Sequence, residues 1–358
     1  MDLKTLGWNE ALEASFSKYR EAGFIPLRIT SRQANLFTAL SEIGELRGKM
    51  TGRMRYECSQ GTDMPAVGDW VAAKGNAETG LMQIRAVMPR RTQLIRADYN
   101  KGSYAGDQVI SANVDVLFIV VGLDRELNTK TLLRYIAQAK ASGAAVVVIL
   151  NKADLCGDVG AALAVAGEVA RDLPVMAVSA STGEGIPEIR KYLGDGKTSS
   201  LVGPPGVGKS SIINSMLGQG ALATGEVREG DSKGRHTTTW RELIMVPGGG
   251  MLIDNPGMRS LGVTGEESEV MAEFGDIEAL AAECRFGNCE HLTEPGCAIK
   301  AAMASGDLAP ERLESYLKFR RELAIISVAK QYRSRVRQAN SAAARRRRQW
   351  KKDLELVQ

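Results

Sequence analysis

The sequence predicts a multidomain chain: an N-terminal OB-type β-barrel, a circularly permuted P-loop α/β domain, and a C-terminal α-helical domain organised by a metal site. Three observations carry this. Short alternating stretches broken by glycine fill residues 36–100. Apolar runs separated by helical stretches fill residues 110–265. Three cysteines and a histidine crowd residues 284–297 of an otherwise helical segment. A length of 358 residues suits two or three domains of roughly 100–200 residues each.

Residues 1–37 read as an extension with one short helix, Glu10–Ala22. Within 38–102, the stretches Gly44–Met50, Gly52–Tyr56, Val67–Ala73 and Met82–Val87 read as short strands at close spacing, the pattern of a small antiparallel barrel. The size fits a five-stranded OB-type barrel, a frequent oligonucleotide binder. Arg47, Lys49, Arg53, Arg55, Arg85, Arg90, Arg91 and Arg96 make it basic. Within 110–265, Asp115–Val121, Ala144–Leu150, Val175–Val178, Ser200–Val202 and Met251–Ile253 read as buried parallel strands. Helical stretches at Lys130–Ala141, Gly160–Arg171 and Ser210–Leu217 separate several of them, which is a doubly wound pattern. Residues 270–340 read as helical apart from the cysteine-rich turn, and 341–358 as a basic tail.

Composition narrows the function classes. Aromatic residues are only 5% of the chain, which disfavours a carbohydrate or aromatic-cage site, and five cysteines are too few for a disulfide framework. No run approaches the roughly 20 apolar residues of a membrane helix. The first sixteen residues are too charged for a secretory signal. A cytoplasmic protein without a membrane partner is expected. Lys318–Lys352 carries thirteen basic residues against Glu322, a net of +12 in a chain of net +4, so the remainder carries −8. A polyanionic partner and a merely solvated tail both fit that split.

Gly203-Pro204-Pro205-Gly206-Val207-Gly208-Lys209-Ser210 fits GxxxxGK[ST] between a short apolar strand and a helix, and Ser211 continues into that helix. Its glycines let backbone amides face a phosphate chain, and the helix N-terminus adds positive potential. Lys209 is placed to reach the β- and γ-phosphates and the Ser210 hydroxyl to bind Mg²⁺. Asp254-Asn255-Pro256-Gly257 follows another strand, with Asp254 on the magnesium side and the Gly257 amide able to sense the γ-phosphate.

Asn151-Lys152-Ala153-Asp154 ends a predicted strand. Guanine presents N1–H and N2–H₂ as donors, and the Asp154 carboxylate can accept from both. Adenine lacks that pair and would leave the carboxylate desolvated, so the site discriminates between the bases. Asn151 supports the N7 side and ties the loop, the Lys152 stem lies over the base, and Ser179-Ala180 offers an amide to O6. Together these strings predict a GTPase using GTP and GDP. The base loop precedes the phosphate loop, the reverse of ordinary small GTPases, and close termini allow such a recut. The γ-phosphate-sensing segment then leads directly into the C-terminal domain and could transmit nucleotide state to residues 270–340.

Cys284, Cys289, His291 and Cys297 form C-x4-C-x-H-x5-C, four soft ligands within fourteen residues. The set suits one tetrahedral structural Zn²⁺ with no open position. Cys58 and Cys156 fall outside it.

The strings VGDW, NKAD, GPPGVGKS, GRHTTT, DNPG and this cluster stand in the order found in the bacterial ribosome small-subunit-dependent GTPase A (RsgA) family, which the sequence resembles over about residues 38–340. The resemblance implies an OB barrel, a permuted GTPase domain and a zinc domain. It also implies late maturation of the small ribosomal subunit, with GTP hydrolysis stimulated by that subunit; docking on its rRNA through the barrel and the C-terminal basic segment, as a monomer, is the reading expected here. Asn255 stands where the family more often has a small hydroxyl residue. Met258 occupies the place of a water-orienting glutamine, so intrinsic hydrolysis should be slow. In Gly234–Thr239, Thr238 is the candidate to complete the magnesium shell. His236 matches the family's proposed water-orienting histidine, against a reading as an exposed loop residue. A non-ribosomal RNA-binding GTPase and a nucleotide-gated scaffold are the alternative functions.

Overall fold

The structure, a computed structural model, describes residues 1–58, 61–100, 103–218, 241–255 and 271–355, with backbone alone at 98–100, 103–105, 333 and 336–355. His236, Thr238, Gly257 and Met258 lie outside the described residues. The chain divides into two compact units, Met1–Ala97 with Asp107–Glu273, and Asp98–Gly106 with Phe274–Gln358.

In the first unit, α1 (Glu10–Glu21) starts at Asn9, whose side chain accepts from the Leu12 amide at 3.0 Å. Strands β1 (Ile25–Gln33), β2 (Leu36–Ser41), β3 (Gly44–Met50), β4 (Trp70–Asn76) and β5 (Leu81–Val87) run in the order β1-β2-β3-β5-β4 and close through β1–β4. This is a five-stranded OB-type barrel. It opens with β1, so the barrel begins inside the stretch that the sequence reading assigned to an extension ending at 37. Gly52–Glu57, read as partly strand, is helix α2. Thr51 caps it by accepting from the Met54 amide at 3.1 Å, and Met54 turns into the barrel core. Inward residues alternate along the strands: Leu27 and Ile29, Phe37 and Ala39, Val71 and Ala73, Met82 and Ile84.

Strands β6 (Gln93–Asn100) and β7 (Ser103–Ala112) form a separate ribbon. Then β8 (Val116–Gly122), β9 (Ala145–Asn151), β10 (Val175–Ala177), β11 (Thr198–Val202), β12 (Glu242–Met245) and β13 (Met251–Asp254) form the order β10-β9-β8-β11-β13-β12. All pairings are parallel except β12–β13. The antiparallel β12, which the sequence reading missed, also pairs with β1 at Ser31↔Glu242, so one continuous sheet includes the barrel strands. Helices α3 (Thr129–Lys140) and α4 (Val159–Ala170) cover one face, packing on Leu117, Ile119, Val146 and Val148. Helices α5 (Ile186–Arg190) and α6 (Lys209–Leu217) cover the other, packing on Phe118, Val120, Val147 and Ile149. Burial of both faces is why these strands read as unbroken apolar runs. The order reverses between β8 and β11, and ligands of such sheets bind at the carboxyl ends beside that switch point.

The second unit contains α7 (Gly275–Ala282), α8 (Ala298–Ser305) and α9 (Pro310–Glu355). Phe274 packs on Tyr316 and Phe319 with ring centroids 5.8 and 5.3 Å apart, and Tyr316 donates to Glu278 at 2.7 Å. Helix α9 is one continuous element of 46 residues that runs on through the arginine run, rather than ending where a tail was expected at 341.

Candidate nucleotide site and metal centre

Three loops meet at the carboxyl ends of β9, β10 and β11. Asn151, the last residue of β9, is 1% exposed and holds them together. Its Nδ2 donates to the Val207 carbonyl of the phosphate loop at 2.8 Å, and its Oδ1 accepts from the Ala180 amide at 3.1 Å. That amide, aimed at guanine O6 by the sequence reading, therefore donates to Asn151 here. Ser215 of α6 donates to the Ala180 carbonyl at 2.8 Å, a second tie between the base loop and the phosphate-loop helix.

Asp154 lies in the short turn after β9 with both carboxylate oxygens engaged: Oδ1 accepts from the Ser179 hydroxyl at 2.6 Å and Oδ2 from the Ser181 hydroxyl at 3.0 Å. The Ser179 hydroxyl, helped by Ser181, keeps this carboxyl below the ordinary aspartate range. Asp154 is thus a fixed, ionised acceptor, as recognition of two N–H donors requires. Lys152 takes a left-handed backbone (φ +65°), and its ammonium donates to Asp124 Oδ2 at 2.9 Å. Asp124, just beyond the end of β8, was missed by the sequence reading, as was Ser181. An acid two residues past an apolar strand, and a second hydroxyl two residues after Ser179, were the available signals.

The phosphate loop runs from Gly203 to Gly208 between β11 and α6, with Lys209, Ser210 and Ser211 as the first turn of α6. Gly208 has φ +91°, and a Cβ there would lie 2.2 Å from Asn151 Nδ2, so glycine is needed both for conformation and for the loop contact. Lys209 Nζ donates to the carbonyls of Gly203 and Pro204 at 2.8 and 2.7 Å, curling the loop around the ammonium. Burial pushes Lys209 down to about 8, partly offset by the charge of Asp254. Asp254, at the end of β13, is 2% exposed on the same side of the sheet. Buried Asn255 donates to the Ser200 hydroxyl at 2.7 Å, so it braces β11 against β13. The structure thus brings Asn151, Lys152, Ala153, Asp154, Ser179, Ala180 and the loop Gly203–Ser210 to one edge of the sheet.

In the second unit, the ligand atoms of Cys284, Cys289, His291 and Cys297 all lie within 4.8 Å of one another. His291 Nδ1 is 3.6 Å from Cys284 Sγ and 3.5 Å from Cys297 Sγ, and those two sulfurs are 3.9 Å apart. A tetrahedral site with Zn–S near ~2.3 Å and Zn–N near ~2.0–2.1 Å has S···N edges of about 3.5 Å and S···S edges of about 3.8 Å. The donor set fits. Burial opposes ionisation of Cys284, but the Ala298 and Ile299 amides at the start of α8 outweigh it and lower the thiol. Glu294 shapes the intervening knuckle by accepting from the amides of Glu290 and Leu292 at 2.9 Å each and of Thr293 at 3.0 Å. The sequence reading missed it. Among the described residues, no helix is long and apolar enough to cross a membrane.

A family model described as RsgA GTPase matches residues 87–264. The small ribosomal subunit biogenesis GTPase RsgA of Opitutus terrae is 42% identical over 333 residues, covering 90% of each chain. That of Syntrophotalea carbinolica is 38% identical over 344 residues, covering 94% of each. Among solved structures, YjeQ from Thermotoga maritima is 28% identical with a TM-score of 0.60, covering 84% of this chain and 99% of its own. YloQ, described as a circularly permuted GTPase, shares the fold at 24% identity and a TM-score of 0.56, covering 85% of this chain and 96% of its own. With the permuted sheet, its phosphate loop and its base loop joined through Asn151, the chain belongs to the RsgA family of GTPases.

Proposed function

We propose that this chain is a GTP-driven switch in late maturation of the small ribosomal subunit, docking on rRNA, hydrolysing GTP in response to the subunit, and then leaving it. The observation that carries the reading is the Asn151-centred joint, which ties the loop bearing Asp154 to the glycine-rich loop Gly203–Gly208 and so supports a guanine nucleotide site, in a chain whose curated relatives are named for small-subunit biogenesis. Barrel residues such as Arg47, Lys49 and Arg85, and the basic end of α9, provide phosphate contacts and a salt-sensitive affinity. The protein works as a cytoplasmic monomer, with barrel, GTPase and zinc regions as its functional divisions.

In this reading Asp154, oriented by Ser179 and Ser181, accepts from guanine N1–H and N2–H₂. Lys209 exchanges its loop carbonyls for the β- and γ-phosphates. Ser210 and Thr238 hold Mg²⁺, which when bound neutralises charge on the phosphate oxygens. Asp254 stands on the magnesium side, and the Gly257 amide senses the γ-phosphate. His236 orients the attacking water, since Met258 can neither donate to it nor accept from it. Cys284, Cys289, His291 and Cys297 hold one structural Zn²⁺.

GTP turnover with and without small ribosomal subunits tests the reading. Strong stimulation that is lost in Lys209→Ala, and lost or greatly reduced in His236→Ala, is the expected result. Normal GTP binding without stimulation would remove the ribosomal assignment, and full stimulation of His236→Ala would remove that histidine from the mechanism.

A further inference from the structure

Arg32, Arg96 and Arg241 form a cationic cluster where the barrel meets the α/β sheet. Strands β1 and β12 are antiparallel with Ser31 opposite Glu242, so the next position outward sets Arg32 across from Arg241. Like charges directly opposite in antiparallel strands destabilise the pairing. Arg32 has local support: Nε donates to the Ala34 carbonyl at 3.2 Å, a terminal nitrogen to the Pro65 carbonyl at 3.3 Å, and the guanidinium lies 5.5 Å from the Phe37 ring centre. Arg241 lacks such support. Its Nε is buried without a hydrogen-bond partner, and among the described residues neither it nor Arg96 has an ion pair. Burial, then the facing charges of Arg96 and Arg32, push Arg241 down to about 10, which still leaves it charged at neutral pH.

Elsewhere in this unit, two cations that are buried or half-buried meet acids. Arg90 grips Asp69 with two bonds of 2.8 and 2.7 Å, and Lys140 meets Glu273 at 2.7 Å. Three guanidiniums gathered without an acid are stabilised by an added anion. Their planar donor forks match the oxygens of a phosphate better than a point charge would. All three are partly exposed, so a phosphate carried on a polymer can reach them.

We propose that Arg32, Arg96 and Arg241 form a binding site for a backbone phosphate of RNA at the junction between the barrel and the α/β sheet. The choice of RNA as the source of the phosphate rests on the rRNA-docking reading above. Arg241 stands three residues after Thr238 in the chain and immediately before β12, so an RNA held here grips the strand that follows the Gly234–Thr239 stretch.

The test uses the full chain, a labelled single-stranded RNA of about 12 nucleotides, within the span of one OB barrel, and inorganic phosphate as a separate probe. Arg241→Gln should weaken RNA binding about threefold to tenfold and lower the salt slope by about 0.7 for the lost phosphate contact. GTP-analogue affinity should be unchanged, and the melting temperature without RNA equal or higher, because a like-charge contact is removed. Arg96→Gln should act in the same direction and serves if Arg241→Gln does not fold. RNA affinity and slope equal to wild type in a folded variant would overturn the site. Arg241-dependent stabilisation by inorganic phosphate without Arg241-dependent RNA binding would overturn the assignment to RNA. Co-sedimentation with small subunits separates the two readings: if wild type fails to co-sediment but binds RNA through Arg241, the ribosomal assignment fails and this site stands.

Discussion

Asn151 Nδ2 donates to the Val207 carbonyl at 2.8 Å across a separation of 56 residues, so the base loop and the phosphate loop form one body despite the permuted chain order. Both ends of the carboxamide are used, the other accepting from the Ala180 amide at 3.1 Å. Asn151→Ala leaves a carbonyl and an amide without these partners, and an unsatisfied buried group costs about 1–3 kcal/mol. Expected outcomes are a lower melting temperature and GTP-analogue affinity weakened about tenfold or more, since about 1.4 kcal/mol corresponds to tenfold. Gly208→Ala should do the same, because its Cβ would stand 2.2 Å from that nitrogen. Nucleotide titrations and melts of both variants check this. Wild-type affinity in both would show that the joint is dispensable.

Asp154 accepts from Ser179 and Ser181 at 2.6 and 3.0 Å and so is held as a fixed anion, which the proposed function assigns to the guanine base. Asp154→Asn replaces one acceptor with a donor that faces guanine's own donors. GTP affinity should fall by about two orders of magnitude or more, while xanthosine triphosphate, with a carbonyl at C2, should gain. Ser181→Ala removes one of the two bonds and should weaken GTP binding by about threefold to tenfold, near the worth of one hydrogen bond. Competition titrations with the two nucleotides read both effects. Unchanged nucleotide preference in Asp154→Asn would take this residue out of base recognition.

What was legible in the sequence was the chemistry held in local strings. The GxxxxGK[ST] loop, NKxD and the Cys₃His spacing each need fixed residues at fixed intervals, and buried strands show as apolar runs. What was not legible came from distant pairing. Nothing near Glu242–Met245 signals an antiparallel strand that bridges β13 and β1, and nothing near Ile25–Gln33 says that this strand closes the barrel against β4. The helix Gly52–Glu57 was read as strand because its charged residues alternate with Met54 and Tyr56, whereas the deciding feature is the Thr51 cap. Asp124, Ser181 and Glu294 escaped notice because each acts on a neighbour's orientation rather than on a ligand.

The knuckle that carries the four candidate metal ligands is shaped by Glu294. Backbone amides, that of Glu290 foremost and then those of Glu294, Leu292 and Thr293, converge on this carboxylate and hold it down to about 2. Glu294→Ala releases them and loosens the turn between His291 and Cys297. Loss of such outer support typically costs about tenfold to a hundredfold in metal affinity. A chelator titration with a colorimetric zinc readout should show one metal per chain, released more readily from Glu294→Ala. Removal of the metal should lower the helix signal of the second unit and leave GTP-analogue affinity intact. A Cys297→Ser variant that keeps its metal at wild-type strength would count against the assigned ligand set.

Lys209 gives the site a pH dependence whose sign can be worked out. Burial holds its ammonium down to about 8, while in an unfolded chain it titrates near the ordinary lysine value of 10.5. Between those values the unfolded state binds more protons, so the stability of the nucleotide-free protein should rise as pH increases through that window. Below about 8 the lysine is charged in both states, and its contribution is a constant penalty. Phosphate oxygens favour the charged form and pull the equilibrium the other way. Binding of a GTP analogue above pH 8 should therefore take up as much as about one proton, and affinity should weaken as pH rises further. Near pH 7 the Lys209 uptake should vanish. Calorimetry at pH 8.5 and 7 in buffers of different ionisation enthalpy measures the uptake directly. Lys209→Met, which cannot titrate, should abolish the difference between the two pH values, and an unchanged difference in that variant would assign the proton to another group.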